Sequence, residues 1–244
     1  MDTISQERID RAIQFIIQRI DSEIINTQGK AGSFQYDSYL SYKKTTKYRS
    51  FGSPKEELSG DGVVLSNAIK SALPFGVSVS EEYIQRNSFS FDSTTTVDGD
   101  MKIVININEE YEEKRFEALH KTWLPIMSGI KQHKDVLEKL VSYVGAMNEN
   151  QLRNHSACIY PHGIFKWDGD CQGGGISFSS LGMSSLNMDG RLALANVIVN
   201  SLNDKENKYY IETKVYDWLY GIEFYIYIMM KPADEPTPQL ESWC

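Results

Sequence analysis

Residues 208–231, KYYIETKVYDWLYGIEFYIYIMMK, limit the fold more than any other stretch of this chain. Apolar and polar residues alternate on both sides of DWLYG, in KYYIETKVY and in IEFYIYIMMK. A period of two sends successive side chains to opposite faces of a strand. Two such runs joined by a short turn containing glycine make an antiparallel hairpin. The run at 222–230 is the most apolar of the chain, but Glu223 interrupts it, and it is far shorter than the ~20 residues of a membrane-spanning helix.

Two further hairpins follow from the same logic. In 88–107, SFSFDSTTTV places Phe89 and Phe91 on one face and MKIVINI places Met101, Ile103, Ile105 and Ile107 on another, with Asp98-Gly99-Asp100 as the turn. In 154–179, CIYPHGIFKW and CQGGGISFSS are the expected strands and Asp168-Gly169-Asp170 the turn. The glycines that follow accommodate a bulge or a close contact.

Between the hairpins the period becomes helical. Over residues 3–27, Ile9, Ile13, Ile16, Ile17, Ile20 and Ile24 recur at spacings of three and four, which makes one apolar stripe. Thr3 with Gln6 has the form of a capping box. A helix is expected at 62–73, with Asp61 as N-cap, Leu65, Ala68, Ile69 and Ala72 as its stripe and Pro74 at its end. Ser53-Pro54-Lys55-Glu56 reads as a shorter turn before it. Helices at 109–123 and 135–147 are expected on either side of Pro125 and Ser128-Gly129, the first opening on Glu109, Glu110, Glu112 and Glu113. A buried helix is expected at 190–202, starting near Asp189.

Hairpins separated by helices define an α+β fold: antiparallel sheet packed with several helices and led by a long amphipathic N-terminal helix. No repeat or linker divides the chain, so a single domain is expected over 1–231, followed by a Pro-rich, acidic, flexible tail at 232–244.

Residues 28–52 show no helical period and are expected to form an irregular arm or loop with at most one short strand. Here Lys30, Lys43, Lys44, Lys47 and Arg49 face a single acid, Asp37, and Phe34, Tyr36, Tyr39, Tyr42, Tyr48 and Phe51 are interleaved. Cations that track phosphates and rings that stack on bases are what single-stranded nucleic acid requires. Tyrosine serves protein surfaces equally well. Tyr36, Tyr39, Tyr42, Lys43, Lys44, Lys47, Tyr48 and Arg49 are therefore the candidate binding residues. The net charge of −8 opposes binding of nucleic acid by the molecule as a whole.

The three cysteines, Cys158, Cys171 and Cys244, are an odd number without framework spacing. That fits a reducing, cytoplasmic setting, with a virion as an alternative, rather than a disulfide-stapled module. His155, Cys158, His162 and Cys171 are residue types that zinc accepts, but on a strand His155 and Cys158 point to opposite faces, so no metal is expected. A thiol enzyme would use Cys171 as nucleophile, His162 as base and Asp168 to orient the imidazole, although neighbouring acids raise a thiol pKa. In IETK, Glu212 and Lys214 share a strand face, the arrangement of a metal-dependent nuclease and equally of solvated cross-strand charges. The common nucleotide-binding, zinc-protease and α/β-hydrolase motifs are absent. The leading expectation is a non-enzymatic interaction or assembly protein, oligomeric or virion-type, with no cofactor and no membrane association. A thiol-dependent hydrolase, transferase or deamidase comes second and the nuclease third.

Overall fold

The structure is a computed structural model and describes residues 4–48, 51–147, 152, 157–161, 163–166, 186–203, 208–219 and 221–231. The fold is α+β, and the described residues form two antiparallel four-stranded sheets. The chain divides into two compact units, Met1–Arg115 with Leu219–Ile222, and Phe116–Trp218 with Glu223–Cys244.

The first unit opens with α1 (Gln6–Asn26). Its N-cap is Ser5, whose hydroxyl accepts from the Arg8 N–H. Ile16, Ile20 and Ile24 of the expected stripe are fully buried, each contributing about 2 kcal/mol. The sheet has the order β2-β1-β4-β3, from β1 (Ser33–Lys47), β2 (Lys55–Ser59), β3 (Val77–Phe91) and β4 (Thr94–Ile107). Helix α2 (Asp61–Ala72) buries Leu65 and Ile69 against the face that carries Leu40, Met101, Ile103 and Ile105.

Three expectations are corrected in this unit. Residues 28–52 are not an irregular arm, because β1 runs through most of them and pairs with β4 over Ser33–Tyr36 and Leu40–Lys47. Phe34, Tyr36, Leu40 and Tyr42 lie opposite Ile105, Ile103, Met101 and Gly99. A bulge between Tyr36 and Leu40 splits this alternation into two fragments too short to read as a strand. The turn expected at Ser53–Glu56 gives way to β2, which starts at Lys55. The hairpin turn lies at Asp92-Ser93, with Asp92 left-handed at φ 50, a conformation that aspartate tolerates. Asp98-Gly99-Asp100 lies inside β4, where Gly99 faces a bulge between Gln85 and Asn87 of β3.

Helix α3 (Glu109–Lys131) passes through Pro125 instead of stopping before it. Proline removes one main-chain hydrogen bond, but the stripe of buried Leu119, Trp123, Met127 and Ile130 runs on past it, and packing outweighs propensity. α4 (Lys134–Gly145) follows.

The second sheet has the order β6-β5-β8-β7, from β5 (Ala157–Tyr160), β6 (Gly163–Lys166), β7 (Tyr209–Trp218) and β8 (Gly221–Met230). The β7–β8 hairpin is the one expected around DWLYG. Helix α5 (Met188–Leu202) is capped by Asn187, which accepts from the Gly190 N–H. It buries residues on every side, Leu192 through Ala195 and Val197 through Val199, hence its unbroken apolar sequence. CIYPHGIFKW is not one strand. It folds back after Tyr160, which pairs with Gly163, because proline cannot continue a paired strand.

Candidate interaction surface

The first sheet is covered for only part of its length. Along β1, β3 and β4 the last buried residues are Tyr42 and Gly99. Beyond them the strands project with no buried residue on either face, and β2 is exposed throughout. Register explains the pattern. The covered face carries Val77, Val79, Glu81 and Tyr83 of β3 opposite Ile107, Ile105, Ile103 and Met101 of β4. Past the bulge the row on this face continues with Ser88 and Ser90, opposite Val97 and Thr95. Phe89 and Phe91 point to the other face, opposite Thr96 and Thr94, and remain 69% and 68% exposed. Phe51, at 94%, and Tyr48 are exposed as well, and the Tyr48 N–H donates to the Ser93 carbonyl at the hairpin turn (2.8 Å).

The two edges of this sheet differ. β2 is short and carries Lys55, Glu56 and Glu57, which form ion pairs Lys44–Glu56 (2.9 Å), Lys47–Glu57 (3.7 Å) and Lys55–Glu57 (2.8 Å). The long outer strand β3 carries Glu81, Glu82 and Arg86 in its inner half but no charge from Asn87 to Phe91. Arg86 pairs with Asp100 on β4 (2.5 Å).

The candidate binding residues of 28–52 are thereby placed. Lys44 and Lys47 are paired with the acids of β2. Lys43 is exposed and lies opposite Asp98 and Ser59. Tyr42 is buried edge-on to Tyr83 (4.8 Å), and Tyr36 packs on Phe15 (6.0 Å). Of the candidate tyrosines with described side chains (Tyr36, Tyr42 and Tyr48), only Tyr48 is exposed; the Tyr39 side chain and Arg49 lie outside the described residues.

Tyr83 is held by a further network. Its hydroxyl donates to Glu81, which also accepts from Lys70 (2.6 Å) and from Ser66. Burial, and then the hydrogen bond to Glu81, push the Tyr83 phenol up to about 12.

In the second unit Glu212 and Lys214 do share a face of β7, but they pair with each other at 3.1 Å, and the Lys214 ammonium sits 5.9 Å above the Tyr227 ring. Among the described residues no group of histidine, cysteine, aspartate and glutamate is arranged to hold a metal ion. Tyr225 stacks beside Tyr227 (6.0 Å) and meets Tyr160 and Tyr216 edge-on (5.9 and 5.3 Å). Cys158 lies opposite Tyr227 in the ladder and is buried with it and Met229. Burial raises its thiol to about 11, against the smaller opposing influence of a hydrogen bond with Tyr160. Cys171, His162 and Asp168 lie outside the described residues. No described helix is long and apolar enough to cross a membrane.

No family model, curated protein or solved structure matches the chain.

The exposed aromatics at the sheet end were visible in sequence only as alternation. SFSF states which residues share a face. It does not state that the helices end before reaching them.

Proposed function

We propose that this chain is a non-enzymatic interaction protein that engages a protein partner through the projecting end of its first sheet. The observation that carries this reading is the exposure of Phe89 and Phe91 at the end of β3, where the sheet has no buried residue beyond Tyr42 and Gly99. Each ring left in water forgoes roughly 1.5–3 kcal/mol of burial, and exposed apolar groups on an open sheet edge are the usual mark of a docking surface. The pairing of charged residues elsewhere is compatible with this reading. Lys44 and Lys47 of β1 are paired within the sheet, and Glu212 is paired with Lys214.

The test is capture. The full chain is immobilised and exposed to extract from its source, and bound proteins, including further copies of the chain, are identified. Wild type retains a defined partner, and Phe89→Ser/Phe91→Ser loses it while keeping the wild-type circular dichroism and melting temperature. A wild type that retains nothing, or a variant that retains the same partner, overturns the proposal.

A further inference from the structure

The neutral outer segment of β3 has a pattern that fits itself. We infer that the partner of the projecting sheet is a second copy of this chain, joined by antiparallel pairing of Asn87–Phe91 across a two-fold axis. This deepens the interaction reading above and rests on it.

The main chain sets the register. Phe91 and Thr94 close a two-residue loop, and such a loop is closed by a hydrogen-bonded pair. Alternation then turns the N–H and C=O of Phe91, Phe89 and Asn87 toward β4, and those of Ser88 and Ser90 outward. In an antiparallel pair, residues that face each other must both present these groups or both withhold them. An axis through Phe89 meets that condition. Ser88 of each copy exchanges both main-chain hydrogen bonds with Ser90 of the other, and Phe89 meets its own counterpart.

The side chains agree with this register. Phe89 faces Phe89 and Phe91 faces Asn87, an aromatic cross-strand row on one face, and serines meet on the other, where the close backbone is unobstructed. One step further out, Asp92 of one copy comes beside Arg86 of the other. Arg86 is 62% exposed while paired with Asp100, so its guanidinium has room for a second carboxylate. No like charges meet between Asn87 and Phe91, which allows two chains of net charge −8 to approach there. The opposite edge, β2, offers charges in place of such a segment.

The experiment is sedimentation of the full chain over a concentration series. Ser88→Pro removes an outward N–H without touching the ladder to β4, a position where an edge strand tolerates proline. Phe89→Lys sets like charges on the axis. Leu58→Lys alters the other edge as a control. Wild type and Leu58→Lys double in mass as concentration rises, and Ser88→Pro and Phe89→Lys stay at monomer mass with unchanged circular dichroism. A wild type that remains monomeric, a dimer that survives either β3 variant, or a dimer lost in Leu58→Lys overturns the inference. A monomeric wild type that still captures a different protein through Phe89 and Phe91 removes self-pairing alone. One that captures nothing removes the interaction reading as well.

Discussion

The carbonyl oxygen of Ile84 occupies the place where a side chain at Gly99 would begin: a Cβ added there would stand 1.9 Å from that oxygen. The next obstacles are also main-chain atoms, the Ile84 carbon at 2.9 Å and the Arg86 nitrogen at 3.0 Å. No rotamer change relieves such a contact. The bulge of β3 and the glycine of β4 are therefore one feature, and the strand can fold over Gly99 only because nothing projects from it. Gly99→Ala should destabilise the protein by about 3 kcal/mol, the upper end of overpacking costs, read as a lower urea midpoint.

Arg115 grips Asp21 with both arms of its guanidinium, Nε to Oδ1 at 2.8 Å and Nη2 to Oδ2 at 2.7 Å. Asp21 is buried on α1, and this fork fixes the first turns of α3 against it. Asp21→Ala should cost about 2 kcal/mol, since a guanidinium loses its partner. Arg115→Lys should lose much of the same, because an ammonium keeps the charge but not the fork. A double-mutant cycle in chemical denaturation measures the coupling.

Cys158 should behave as an inert thiol. Its pKa rises from 9.0 to about 11 because it is buried, so little thiolate forms near neutral pH. In a Cys171→Ser/Cys244→Ser background, labelling by a thiol reagent at pH 8 should be far slower than for a model thiol and should speed up only on unfolding. A reactivity equal to the model thiol would refute this.

The same shift gives stability a pH dependence. The folded state holds the Cys158 proton more tightly than the unfolded chain, so its contribution is complete below pH 9.0 and is lost as the pH rises through about 11. Tyr225, raised from 10.0 to about 12 chiefly by burial and then by its bond to Glu223, extends the loss upward. Urea midpoints should fall across this range, and Cys158→Ala should flatten the first part of the fall.

At concentrations where the chain is monomeric, Phe89→Ser and Phe91→Ser should each change stability by less than about 0.5 kcal/mol, as expected of exposed positions. Leu65→Ala, at a site with 0% exposure, should cost about 3 kcal/mol. A large loss at Phe89 would mean that the ring serves the fold.

Periodicity was most legible where one packing surface runs the length of an element. Ile9, Ile16, Ile20 and Ile24 of α1 are buried as their spacing indicates, although Ile17 is exposed, and β7 and β8 form where alternation places them, although Ile226 to Met229 are buried on both faces. It misled where the backbone adds residues. The bulge after Tyr36 broke β1 into fragments, and the bulge at Arg86 disguised Gly99 as a turn residue. Pro161, by contrast, carried a signal that alternation overrode. At the candidate surface, the sequence shows which residues of 28–52 are basic or aromatic, but not how they are paired. Lysines and tyrosines of 28–52 stand out by composition, but the pairing of Lys44 and Lys47 with Glu56 and Glu57 depends on the β1–β2 register, which no sequence pattern marks.

The unequal edges of the first sheet have a consequence for valence. A strand pair that left receptive edges on both sides would recruit copy after copy and grow without limit. If two copies pair through β3 as inferred above, the acids and lysines of β2 discourage a further addition, and the assembly closes as a pair.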